Sequence, residues 1–170
     1  GSEAAGSAVA ASAGKALKKT VLELGGSDPY LILADADLDQ AARTCANSRL
    51  INGGQSCIAA KRFIVHQAVA EPFTEKLVSA MSAKRMGPPE EEATEIGPLA
   101  REDIRQEVHG QVEASVAKGA QLLCGGVLPE GKGFYYPPTV LAGVTPEVPV
   151  YFEEVFGPVA TVIPVPDVES

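Results

Sequence analysis

The sequence predicts an α/β fold with a mostly parallel sheet flanked by helices. Three observations support this. Short apolar segments alternate along the chain with longer segments of helical periodicity, which is typical of parallel α/β sheets. Glycine and proline pairs separate these segments. The 170 residues, of which 45% are hydrophobic, suit one domain with a sizeable core.

Four segments have helical character. Residues 3–13 are rich in alanine and lack proline, which favours a helix that ends near Gly14. Asp37 is a suitable N-cap for a second helix, since a stripe at helical spacing follows it and buries its apolar members. The stripe consists of Leu38, Ala41, Ala42, Cys45 and Arg49. Two more helices are predicted over residues 71–81 and 102–118.

Segments rich in β-branched and aliphatic residues predict six strands. In chain order they are 20–24, 29–34, 62–65, 121–124, 135–144 and 160–165. The second, PYLILA, is expected to be buried because it is almost wholly apolar. Pro137 and Pro138 predict that the fifth lies at a sheet edge, since proline cannot donate to a ladder. Residues 84–98 are expected to form a loop.

Charge and hydropathy exclude several classes of protein. Fourteen Lys and Arg residues against 22 Asp and Glu residues give a net charge of −8, with no Trp. Such a chain is a poor binder of nucleic acid or of anionic membranes. No apolar run approaches the roughly 20 residues needed to span a bilayer, and no signal-peptide pattern is visible. We therefore expect a cytoplasmic protein.

The three cysteines differ in their surroundings. Their odd number and wide spacing argue against a disulfide framework or a zinc site, so no metal is predicted. Cys45 lies on an apolar helical stripe and Cys124 ends a strand, which indicates structural roles. Cys57 follows the polar turn 52–56, and a turn N-terminus lowers a thiol pKa from its reference value of about 8.5. Cys57 is thus a candidate nucleophile, with a buried structural cysteine as the alternative.

Two further segments contain carboxylates that are candidate site residues. Glu23 lies in an apolar segment before Gly25 and Gly26, and burial there would raise its carboxyl pKa towards the range of a general base. A surface charge at a strand end is the alternative. Glu153 and Glu154 precede a sharp turn, and an acid pair of this kind is most often a surface feature.

Taken together, these three segments resemble the aldehyde dehydrogenase superfamily. The matching motifs are LELGG at 22–26, GQSC at 54–57 and EEVFGP at 153–158, in the order and at the spacing of that family. The resemblance covers essentially the whole chain and is greatest to bacterial succinate-semialdehyde dehydrogenases. It implies that residues 1–170 form the catalytic domain of a longer protein. Residues 1–14 would be the last helix of the preceding cofactor-binding domain.

The resemblance also implies a reaction, the NAD- or NADP-dependent oxidation of an aldehyde to a carboxylate. Cys57 would add to the aldehyde carbon to give a thiohemiacetal, and loss of hydride would leave a thioester. Glu23 would activate the water that hydrolyses this thioester. The backbone N–H of Cys57 would supply one oxyanion-hole donor. The second donor in the family is an Asn side chain upstream of this segment, so the isolated chain is expected to be inactive.

The same resemblance assigns residues to the cofactor. Glu154 would bind the nicotinamide ribose, and Phe156 would pack beside the nicotinamide. Gly1 and Ser2 would meet the pyrophosphate at a helix N-terminus. Leu24 is the fifth residue expected at the cofactor. The parent protein is expected to be a homo-oligomer, since the family pairs its subunits through a later strand.

One departure from the family pattern bears on the substrate. Many dehydrogenases of acidic semialdehydes carry an Arg just before the Asn of the nucleophile loop, where this chain has Ile51. An anionic substrate would need another cation, such as Arg49, Arg62 or a residue outside the chain. Two alternatives remain open. One is a coenzyme A-acylating dehydrogenase, against which Glu23 argues. The other is an inert scaffold, against which the retained motifs argue.

Overall fold

A five-stranded sheet forms the centre of the computed structural model, which describes residues 1–167. The strands are β1 (Pro29–Ile32), β2 (Arg62–His66), β3 (Gln121–Cys124), β4 (Thr139–Ala142) and β5 (Val159–Val165). Their order is β1-β2-β5-β4-β3. All neighbouring pairs are parallel except β3 with β4, so the predicted mostly parallel sheet is confirmed.

Helices connect the strands largely where the sequence predicts them. They are α1 (Glu3–Lys15), α2 (Leu38–Leu50), α3 (Gln67–Ser82), α4 (Glu102–Ala117) and α5 (Pro149–Phe152). The side chain of Asp37 accepts the N–H groups of Asp39 and Gln40, both at 3.0 Å, which confirms it as the N-cap of α2. Helix α3 begins earlier than predicted, since His66 Nδ1 accepts the N–H of Ala68.

The sheet is covered on both faces. Helices α2 and α3 pack on one face, where Phe63, Phe73 and Leu77 are fully buried. Helix α4 packs on the other face through Val108 and Val112. Successive strand residues point to opposite faces, so β4 and β5 contribute buried side chains to both cores. This two-sided burial fixes the strand positions from which the site is built.

Two strand predictions are wrong. Residues 20–24 lie outside the sheet, and Val21 is 92% exposed. The segment starting at Pro29 forms an edge strand in which only Ile32 is buried, so its apolar sequence does not signal a central position.

The predicted edge position of residues 135–144 is also wrong. Strand β4 lies between β5 and β3. Its ladder begins at Thr139, whose N–H donates to the carbonyl of Pro158 at 2.8 Å. Pro137 and Pro138 therefore precede the ladder and remove no hydrogen bond from it.

Helix α1 packs weakly on the rest of the chain. Of residues 3–15, only Gly6 is buried, and the side chain of Leu24 lies so close that a methyl group on Gly6 would collide with it. The N-terminal helix is thus attached mainly through the segment that carries the first motif. Among residues 1–167, no helix has both the length and the apolar character needed to cross a bilayer.

Candidate active site

The three motifs lie at one edge of the sheet because each directly precedes one of three neighbouring parallel strands. Residues 22–26 precede β1, residues 54–57 precede β2 and residues 153–158 precede β5. Parallel neighbours place their amino ends at the same edge. The sequence carries this signal, since an apolar strand follows each motif within about five residues.

Paired glycines let the first motif touch the other two. Gly26 packs against the backbone carbonyl of Cys57, leaving no room for a Cβ atom. Gly25 packs in the same way against the carboxylate of Glu154. The double glycine therefore lies between the candidate nucleophile and the candidate ribose-binding carboxylate.

The turn before Cys57 depends on three consecutive left-handed residues. The φ angles are 50° at Asn52, 64° at Gly53 and 79° at Gly54. Asn52 tolerates this region better than most residues with a side chain. Its Nδ2 donates to the carbonyl of Gln55 at 3.0 Å, and Gly54 packs against the carbonyl of Gly157. The turn is thus closed by its own side chains and joined to the third motif.

The cysteines differ as the sequence predicts. Cys57 is exposed in this turn, whereas Cys45 is 2% exposed among the apolar side chains between α2 and the sheet. Burial raises the pKa of the Cys45 thiol to about 12. Cys124 is half-buried, with its sulfur 3.8 Å from the carbonyl oxygen of Pro138. Cys57 is therefore the thiol best placed to meet a substrate.

The burial predicted for Glu23 is wrong. Residues 20–24 do not join the sheet, so the Glu23 side chain is exposed, and its carboxylate makes no hydrogen bond or ion pair within residues 1–167. Its backbone carbonyl accepts a hydrogen bond from the Gly1 nitrogen at 2.8 Å. This contact brings the start of α1 beside the first motif. Ser2 caps that helix, accepting the N–H of Ala5 at 3.3 Å.

Glu154 is anchored at the centre of the three motifs. Its Oε1 accepts the N–H of Gly26 at 3.0 Å, and its Oε2 lies over Gly25. Within residues 1–167 the Oε2 atom accepts no hydrogen bond, so this oxygen remains able to accept a ligand hydroxyl. Phe156, two residues later, is half-buried. A half-buried carboxylate with one free oxygen fits the vicinal hydroxyls of a ribose.

Arg49 is a buried structural residue that the sequence analysis misread as a candidate substrate cation. It is 2% exposed, and its Nη2 donates to the carbonyls of Gly54 at 2.5 Å and Val155 at 3.4 Å. Its Nη1 donates to Ala59 O at 3.3 Å. Burial lowers the pKa of the guanidinium to about 10, while the charge of Glu154 opposes this shift. The group is thus occupied by backbone carbonyls and turned away from solvent.

Lys61 is a second buried cation that sequence reasoning missed. It is 1% exposed, and its Nζ donates to the carbonyls of Val150 at 2.6 Å and Glu153 at 2.5 Å. Burial lowers the pKa of Lys61 to about 7, helped by the nearby charges of Arg62 and Arg49. Arg62 itself donates from Nε to Ser27 O at 2.8 Å. All three basic residues therefore brace the loops at the amino edge of the sheet.

Comparison with known proteins gives a consistent result. The family model described as "Aldehyde dehydrogenase family" matches residues 1–170. The chain is 53% identical, over 99% of its length, to the Escherichia coli K12 succinate semialdehyde dehydrogenase [NAD(P)+] Sad. It is 51% identical, over 100% of its length, to a succinate-semialdehyde dehydrogenase [NADP(+)] of Mycobacterium avium. The chain spans 37% and 36% of the length of these relatives.

A solved structure agrees with the sequence relatives. The crystal structure of lactaldehyde dehydrogenase from Escherichia coli superposes with a TM-score of 0.96 at 39% sequence identity. The match covers 99% of this chain and 35% of that one. The fold, the three motifs and the family match together define the class of protein. The chain belongs to the aldehyde dehydrogenase family.

Proposed function

We propose that the whole protein oxidises an aldehyde to a carboxylate with NAD or NADP, using Cys57 as the nucleophile. The observation that carries this proposal is the convergence of three segments. An exposed thiol in a glycine turn, the segment of Glu23 and the anchored carboxylate of Glu154 meet at the amino edge of the sheet. The names of the relatives support the same reaction and cofactor class.

Cys57 begins the reaction in this proposal. Its thiolate adds to the aldehyde carbon, forming a C–S bond and leaving negative charge on the former carbonyl oxygen. The backbone N–H of Cys57 supplies one donor to that oxygen. Exposure of the side chain leaves the sulfur open to the substrate. Its carbonyl is held against Gly26, which limits the movement of the turn.

The residues assigned to the cofactor would bind the hydride acceptor of this reaction. When bound, NAD or NADP supplies the hydride acceptor that converts the thiohemiacetal to a thioester. Glu154 Oε2 accepts a ribose hydroxyl while Oε1 stays bonded to the Gly26 N–H. Phe156 and Leu24 contribute apolar surface. Gly1 and Ser2 lie at the start of α1, and the N-terminus of this helix would face the pyrophosphate.

Glu23 completes the cycle. Its carboxylate takes a proton from water as the water oxygen attacks the thioester carbon. The C–S bond then breaks, which releases the carboxylic acid and returns the sulfur of Cys57. The exposed side chain of Glu23 leaves it free to turn towards the nucleophile. Backbone contact between Gly26 and Cys57 keeps the two segments adjacent.

Succinate semialdehyde is the proposed substrate, on the strength of the relatives' names. Arg49 is buried and cannot bind its carboxylate. Arg62 is half-buried and donates to Ser27 O through Nε, so its Nη groups and residues elsewhere in the protein are the candidates for binding an anionic aldehyde. The exposed Ile51 next to the turn offers only apolar contact.

A substrate panel on the full-length protein tests the proposal. Succinate semialdehyde and an uncharged aldehyde of similar length are each assayed with NAD+ and NADP+, by the appearance of reduced cofactor. Cys57→Ser is the control and should abolish the signal. A requirement for coenzyme A would indicate the acylating reaction instead. No reduced cofactor with any aldehyde would indicate an inert domain of the same fold.

A further inference from the structure

Three consecutive peptide carbonyls around Glu154 each accept a hydrogen bond from a different side chain. The three donors come from the last turn of α2, from the residue before β2 and from α4. The pairs are Lys61 Nζ to Glu153 O (2.5 Å), Gln111 Nε2 to Glu154 O (3.0 Å) and Arg49 Nη2 to Val155 O (3.4 Å). We call Arg49, Lys61 and Gln111 the carbonyl clamp.

The segment that the carbonyl clamp holds has little regular support. Residues 153–155 lie after α5 and before β5, and among residues 1–167 the one backbone hydrogen bond from their N–H groups runs from Glu153 to Pro149 O at 3.1 Å. The direction of the Glu154 side chain depends on the peptides on both of its sides. Arg49 is a buried charged donor, which holds a carbonyl more strongly than water or a neutral donor does, while Gln111 donates as a neutral amide. The carbonyl clamp therefore fixes the backbone from which the Glu154 side chain extends, and the Gly26 N–H holds its Oε1 at 3.0 Å.

We propose that Arg49, Lys61 and Gln111 are positioning residues that orient Glu154 for the cofactor. The inference rests on the proposed function, because it acts through the ribose contact assigned to Glu154. None of the three side chains needs to touch the ligand. Gln111 also donates to Glu153 Oε2 at 3.0 Å, so it steadies the segment at two points.

Arg49 differs from the other two members of the carbonyl clamp. It also bonds the carbonyls of Gly54 and Ala59, which lie on either side of Cys57. Arg49 thus ties the nucleophile turn to the Glu154 segment, whereas the contacts of Lys61 and Gln111 with the motifs are confined to the third motif and the helix before it. This difference predicts distinct effects for the variants.

The test compares two identical substitutions on α4 in the full-length protein. Gln111→Met removes the donor to Glu154 O and, with it, the bond to the exposed Glu153 carboxylate. Gln106→Met is the matched control, since Gln106 is exposed and its side chain donates to Glu102 Oε1 on the same helix, away from the third motif. Loss of a hydrogen bond worth about 0.5–1.5 kcal/mol corresponds to roughly a three- to tenfold weaker Kd for NAD(P)+. We expect this for Gln111→Met alone, with the aldehyde KM and the Cys57 alkylation rate unchanged.

A double variant separates positioning from a general structural role. If Gln111 acts through Glu154, then Gln111→Met combined with Glu154→Gln binds cofactor no more weakly than Glu154→Gln alone. Arg49→Lys keeps the charge but cannot span the same carbonyls. We expect it to weaken cofactor binding and also to change the alkylation rate of Cys57 in the absence of cofactor.

Four results would overturn the inference. Wild-type cofactor affinity in Gln111→Met, or additive losses in the double variant, removes the positioning role while the proposed function stands. Normal cofactor binding by Glu154→Gln would show that Glu154 does not bind the ribose, and the carbonyl clamp would then have no role in cofactor binding. If the wild-type protein itself reduces neither NAD+ nor NADP+ with any aldehyde, the proposed function fails and the inference falls with it.

Discussion

Two residues with the same functional group have opposite environments in this chain. Cys57 is exposed in its turn, while burial removes access to Cys45 and raises its thiol pKa to about 12. At pH 8 in the native full-length protein, iodoacetamide should therefore modify Cys57 and leave Cys45 unmodified. Peptide mass spectrometry measures both sites. Cys57→Ser and a denatured sample are the controls, and equal native labelling at the two sites would contradict the assignment.

The proposed roles of Glu23 and Cys57 are separable by rapid mixing. Glu23→Gln keeps the side-chain size but cannot accept a proton, and loss of a general base typically costs about 10²–10⁴-fold in rate. If Glu23 acts on the water, the first turnover should still give a burst of reduced cofactor, followed by a slowed steady state.

A different outcome would assign Glu23 another step. If it deprotonates Cys57, the burst itself should slow and should recover as the pH rises towards the thiol pKa. Unchanged steady-state turnover in Glu23→Gln would remove the residue from the mechanism. Cys57→Ala, which lacks the nucleophile, should give no burst and serves as the baseline.

At the scale of residues, the sequence indicates the candidate reactive side chains better than the side chains that hold them in place. Cys57 and Glu154 are recognisable because motifs surround them. The burial of Arg49 and Lys61 is not recognisable, since a basic residue in sequence looks the same whether it faces water or backbone carbonyls. Only the packing of loops that are distant in sequence supplies the acceptors. Glu23 shows the reverse error, because its apolar neighbours do not enter the sheet.

At the scale of elements, periodicity and caps predict helices well because both are local. The bounds of α2 and α4 agree with the prediction to within a residue or two. Strand position is not local. Strand β1 is apolar yet lies at an edge, and β4 follows two prolines yet lies inside the sheet. The order of strands depends on which crossovers form, and no single segment encodes it.

The nucleophile turn should tolerate no side chain at Gly54. Its φ of 79° is strained for other residues, and a Cβ atom there would collide with the Gly157 carbonyl. Gly131 is the matched control, since its φ of 106° is also positive but the space around it is open. Steric overpacking costs about 1–3 kcal/mol. Gly54→Ala should lower the free energy of unfolding by about that much more than Gly131→Ala, as measured by urea unfolding.

If the two alanine variants lose equal stability, backbone strain alone explains the loss and the contact between the second and third motifs carries little energy. The rate of Cys57 alkylation provides an independent reading. It should change in Gly54→Ala, where the turn must move, and stay unchanged in Gly131→Ala.

At the scale of the whole molecule, the buried amine of Lys61 should make the free energy of unfolding depend on pH. Burial lowers the pKa of Lys61 to about 7 from 10.5, although Glu153 and Glu154 favour its charged form. Between these values the unfolded chain binds more protons than the folded one, so the free energy of unfolding rises with pH. This contribution is complete above the unfolded pKa and is lost as the pH falls through 7.

The Tm difference between the wild-type protein and Lys61→Met, followed from pH 6.5 to 9.5, checks this linkage. The Tm of the wild type relative to that of Lys61→Met should increase as the pH rises. Lys118→Met, at an exposed lysine, is the control and should follow the wild type across the range. Parallel curves for Lys61→Met and the wild type would show that the amine stays charged in its site.

The location of the site is a property of the whole sheet that the sequence partly contains. Each motif is visibly followed by a strand, and the motifs meet because β1, β2 and β5 are parallel neighbours. Ligands of open α/β sheets usually bind at the carboxyl ends of the strands, whereas these motifs lie at the amino ends. Only the observed strand order shows that these three loops, far apart in sequence, meet at the amino ends of neighbouring strands.

The central place of β5 has a consequence for synthesis on the ribosome. Strand β5 is the last described strand in sequence, yet it lies between β2 and β4. The earlier strands therefore leave the exit tunnel before the strand that lies between them. When β5 then pairs with β2, it closes a long loop, which is a slow step. Apolar strand surface stays uncovered while residues 67–158 are translated, a state in which nascent chains aggregate or recruit chaperones. Slowing the ribosome before residue 159 should prolong that state.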